Sequence, residues 1–67
     1  MKTYEGYIDH LANAPKEKEI RQGQHIINTL FYYDDTAYKH IMASEADCFY
    51  DDEKIEDFWR TLTKYYS

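Results

Sequence analysis

The segment from Asp52 onward carries the pattern that most restricts what this chain can become. Ile55, Phe58, Trp59, Leu62, Tyr65 and Tyr66 follow one another at spacings of 3, 1, 3, 3 and 1. Those intervals gather the side chains on one face of an α-helix, whereas the two-residue period of a strand would scatter them over both faces. A helix divided so sharply is stable only when its apolar side is buried against other elements. The question is what the rest of the chain offers it.

Three further helices are expected. The first spans residues 3–12, capped by Thr3, with Tyr4, Tyr7, Ile8 and Leu11 on one face. Gly6 weakens it by up to about 1 kcal/mol relative to Ala. Asn13-Ala14-Pro15 ends it, since the residue before a proline is pushed out of the helical region. Pro15 suits the first position of a second helix, residues 15–33, with Glu17 and Arg21 paired four apart on its outer side. Its inner stripe is Ile20, Gly23, Ile27, Leu30 and Phe31, flanked by Ile26. A third helix, residues 36–43, is capped by Asp35 or Thr36 and turns Ala37, Tyr38, Ile41 and Met42 inward. Residues 44–50 read as a loop whose Phe49 plugs into the core. Asp51 or Asp52 then caps the fourth helix, residues 52–66.

Connections this short favour antiparallel neighbours. The expectation is therefore an all-α fold: a compact single-domain bundle of four short helices over residues 1–67, with the second and fourth at its centre. Trp59 is the side chain whose truncation should cost most, about 3–5 kcal/mol. A chain of 67 residues buries only about 60% of its unfolded surface, so each large apolar group matters. Within the second helix, Gly23 suggests a close helix crossing. Gln24 and Asn28, four apart, suit hydrogen bonds to loop backbone such as residues 44–50, in preference to a polar ligand groove.

Gly23-Gln24, Asn28 and Leu30, then Asp47-Cys48-Phe49-Tyr50 with Asp52, Ile55 and Phe58, form a pattern over residues 23–58. It resembles that of small uncharacterised bacterial and phage helical proteins, in which a Gly-Gln and Asn-x-Leu helix precedes an Asp-x-Phe-Tyr segment and a final helix. The family usually has Pro between the Asp and the Phe, where this chain has Cys48, which makes the loop less rigid. The resemblance implies a shared helical fold and brings no activity with it.

The chemistry of the residues excludes more than it assigns. Cys48 is the single cysteine, so no disulfide can staple the chain, and a reducing, cytoplasmic setting is expected. No stretch approaches the ~18 apolar residues of a membrane span. From Asp34 to Asp57 nine acids face two bases, Lys39 and Lys54, for −7; the remainder carries +2, which sums to the net −5. So acidic a half repels phosphate backbones, and no direct nucleic-acid binding is expected. A helix-turn-helix DNA binder is a distant alternative, because the helix after Asp34-Asp35-Thr36 has one Lys and no Arg.

Metal, cofactor and catalytic sites are not expected either. His10, His25 and His40 are fifteen apart and share no helical face. The acidic run from Asp47 to Glu53 lacks the alternating ligands and central Gly of a calcium loop. Cys48 with His40 lacks an orienting third group, and the carboxylates lack a desolvating pocket that would separate their pKa values. A non-enzymatic protein-interaction module is the expectation, with Tyr50, Asp51, Asp52, Glu53, Glu56 and Asp57 as partner-binding residues. Its acidic ridge would compete, like a phage-type inhibitor, for a basic, nucleic-acid-binding surface of a host protein. The alternative is a self-associating structural or assembly protein, because Tyr32, Tyr33, Tyr65 and Tyr66 exceed what one small core needs and a homodimer would bury them.

Overall fold

In a computed structural model that describes residues 2–67, Thr3 has the extended backbone of a capping residue. Its Oγ1 accepts the Gly6 N–H at 2.9 Å, and α1 runs Tyr4–Asn13. Ala14 is extended ahead of Pro15, which ends the helix as the proline requires. The Tyr33 hydroxyl lies over Gly6, where a Cβ would collide with it, and accepts the Thr3 N–H at 3.1 Å. Gly6 thus weakens the helix locally and makes room for a contact from the far end of α2.

α2 spans Gln22–Tyr33, so it begins at Gln22 rather than Pro15. Lys16-Glu17-Lys18-Glu19 has no apolar side chain to dock, and a helix there would gain nothing from packing. The segment turns instead: Lys16 Nζ donates to the Ile20 carbonyl at 2.6 Å, and Ile20 N–H to the Glu17 carbonyl at 3.4 Å. Arg21 is the extended N-cap residue, which undoes the expected Glu17–Arg21 pair.

α3 spans Asp35–Met42 and is capped by Asp34, one residue earlier than expected. Asp34 Oδ1 accepts the Ala37 N–H at 3.3 Å, while Oδ2 accepts the Tyr66 hydroxyl at 2.8 Å. One carboxylate thereby starts a helix and ties the α2–α3 corner to the end of the chain. Burial first, and then the bond to Asp34, raises the Tyr66 pKa well above the usual phenol range. A single 3-10 turn, Asp52–Lys54, leads into α4, Ile55–Tyr66. The result is an all-α bundle of four short helices, in which α1 and α3 each lie against both α2 and α4.

Tyr7 is the largest wholly buried side chain and Phe58 the next. Around them α2 places Ile26, Ile27 and Leu30, α3 places Ala37 and Ile41, and α4 adds Leu62. The Tyr7 hydroxyl donates to the Ile26 carbonyl at 2.7 Å, so its burial leaves no donor unpaired. The centre is therefore shared with α1, not held by α2 and α4 alone. Trp59 is only half-buried, beside Phe58 with ring centroids 5.0 Å apart. The stripe on α4 is centred on Phe58 and Leu62, four apart, which leaves the larger indole on its shoulder. The loop plug is corrected too. Ala46 and Cys48 are buried, whereas Phe49 is half-buried at the rim.

Candidate interaction face

The acidic end of the molecule is assembled where the 44–54 segment meets the start of α2. Arg21 has no side-chain acceptor of its own with which to cap that helix. Asp52, 29 positions away, supplies one: its Oδ1 accepts the Gly23 N–H at 3.1 Å and lies 3.7 Å from Arg21 Nε. The Arg21 guanidinium also donates to the Phe49 carbonyl. Gly23 is small because this loop, and not a crossing helix, presses on it. A Cβ there would strike the Cys48 carbonyl and come within 2.7 Å of Asp52 Oδ1.

The expected partner-binding residues divide into two groups once their bonds are known. Asp51 caps the 3-10 turn, accepting the Glu53 N–H at 3.0 Å. Asp52 is committed to Gly23 and Arg21. Asp57 meets Arg60 Nη1 at 3.2 Å, an exposed pair that contributes little to stability. Glu53 and Glu56 are exposed and take part in no ion pair among the described residues. Tyr50 is 82% exposed, and its ring packs edge-on against Phe49 at 4.7 Å. Over residues 50–57 five acids face one base, Lys54, for −4. The structure thus places all six expected residues on the surface of one short segment. It was silent in the sequence that Asp52 holds α2 and that Arg21 belongs to the same cluster.

Cys48 is wholly buried, and its Sγ lies 3.7 Å from the Gly23 carbonyl. Burial, above all, pushes its thiol up to about 11, so at neutral pH it is held as the protonated, unreactive form. His40 instead stacks on Tyr65 at 5.0 Å, and His10 on Tyr33 at 5.7 Å. Among the described residues no three His, Cys, Asp or Glu side chains converge to hold a metal ion. No described helix is long and apolar enough to cross a membrane.

Gln24 and Asn28 do not reach the 44–50 loop. They line a groove of about 460 Å³ on the outer side of α2, walled by the Pro15–Ile20 linker. Of the four tyrosines set aside for self-association, Tyr33, Tyr65 and Tyr66 pack against the core. Tyr32 remains 80% exposed, edge-on to Phe31 at 5.4 Å. Comparisons with family models, with curated proteins and with solved structures found no match for this chain.

Proposed function

We propose that this chain is a small protein-interaction module that docks residues 50–57 on a basic, phosphate-binding surface of another protein, in the manner of a cytoplasmic phage-type inhibitor. The observation that carries the reading is Tyr50, 82% exposed beside two carboxylates, Glu53 and Glu56, that no internal partner occupies. A tyrosine supplies broad contact area at small entropic cost. Free carboxylates about 5–6 Å apart on a helical surface present charge at a spacing comparable with that of phosphates along a strand. Such a field accelerates encounter with a basic site and weakens in salt.

The test leaves Asp51 and Asp52 alone, because they cap the 3-10 turn and the start of α2, and leaves Asp57 to its exposed pair with Arg60. A partner captured from the native host should lose at least about tenfold in affinity on the double substitution Glu53→Lys, Glu56→Lys, with the circular dichroism spectrum unchanged. Tyr50→Ser should add to the loss. Equal binding by all three forms would remove the proposal.

A second reading, self-association, is favoured by Phe31, 46% exposed, standing beside Tyr32 on the same helix. Sedimentation between micromolar and millimolar concentration decides it. A dimer should form and be lost in Tyr32→Ser, and a monomer throughout would dismiss it.

A further inference from the structure

The groove on α2 has its own chemistry, independent of the acidic end. Gln24, Asn28 and Tyr32 line it at i, i+4 and i+8. At about 1.5 Å rise per residue, successive members stand about 6 Å apart along the helix axis. An extended peptide presents equivalent main-chain groups on one side every second residue, about 6.6–6.8 Å. The two periods match closely over this length. Each carboxamide carries both a donor and an acceptor, the complement of a peptide C=O and N–H. Neither side chain is used by the hydrogen bonds of the described fold, although both are half-buried.

His25 supplies the second observation. It lines the same groove while only 8% exposed, and its ring makes no hydrogen bond within the described fold. No enclosed side-chain nitrogen or oxygen lacks a partner among the described residues, so the imidazole nitrogens open onto the groove. Burial, and then the charge of Lys16, lowers its pKa, which keeps the ring neutral with one donor and one acceptor. Lys16 at its edge and Glu17 in its lining carry opposite charges, so no net charge selects the occupant and the neutral carboxamides do. Pro15 and Ile20 form an apolar wall opposite the carboxamides.

We infer that this groove binds an extended, uncharged peptide strand of a partner protein, reading its main chain through Gln24 and Asn28. The probe is a pool of capped, uncharged octapeptides alternating Thr or Val with Ser, titrated into the isotope-labelled protein and followed by nuclear magnetic resonance. The side-chain amides of Gln24 and Asn28 and the ring of His25 should shift together. Asn28→Ala and Gln24→Ala should each weaken the titration about fivefold, as loss of one neutral hydrogen-bonding group does, with an unchanged helical spectrum. The same pool with N-methylated backbones should leave all three signals in place. The proposal is overturned by unmoved signals at millimolar pool, by equal binding of the N-methylated pool, or by shifts with adenosine or uridine that peptides do not produce.

Discussion

Phe58→Ala is expected to destabilise the protein by about 3–5 kcal/mol, a large part of its total stability. A chain of 67 residues has a total stability of only about 3–10 kcal/mol at ordinary values per residue. Phe58 is wholly buried, with Tyr7 at 6.4 Å and Trp59 at 5.0 Å between ring centroids. Its removal opens a cavity against elements contributed by three helices, and a bundle this small has no second layer that can collapse into it. Trp59→Ala is the control, since its indole is half-exposed and part of its transfer free energy is never gained. It should cost about half as much. Urea denaturation followed by circular dichroism measures both, and a larger loss for Trp59 than for Phe58 would show that the core is centred elsewhere.

That reversal of Trp59 and Phe58 indicates how far the sequence can be read. A 3.6-residue period identifies which residues share a face, and α4 could be placed to within a few residues from its stripe alone. Rank within the stripe depends on what stands opposite. Tyr7 faces both rings, 6.4 Å from Phe58 and 6.0 Å from Trp59 between centroids, and nothing local announces which of the two the fold will enclose. Caps behave in the same way. Thr3 and Asp51 accept from backbone two or three residues on, so their role is written beside them. The start of α2 is held by Asp52 from 29 positions away, and so Pro15 looked like the better beginning. The candidate site shows the same division. The run of acids is plain in the composition of residues 50–57, but its separation into structural Asp52 and free Glu53 and Glu56 depends on partners that only the folded chain brings near.

Gly23→Ala puts that long-range clasp to the test. In an ordinary helix interior the change gains up to about 1 kcal/mol, and Gly23 has no positive φ to protect. Here the new methyl meets the Cys48 carbonyl, which belongs to backbone and cannot rotate away. Displacing the loop costs about 1–3 kcal/mol by overpacking, and withdrawing Asp52 from the Gly23 N–H removes a cap worth about 1 kcal/mol. The balance is an expected net loss of about 2 kcal/mol, opposite in sign to the propensity scale. Asp52→Ala alone should cost about 1 kcal/mol. Since both changes release the same contact, the double variant should be less destabilised than the sum of the two. Urea midpoints for the four proteins give the coupling directly. A stabilised Gly23→Ala, or strict additivity with Asp52→Ala, would mean that the loop before α4 does not rest on the start of α2, and the acidic face would then have no fixed base.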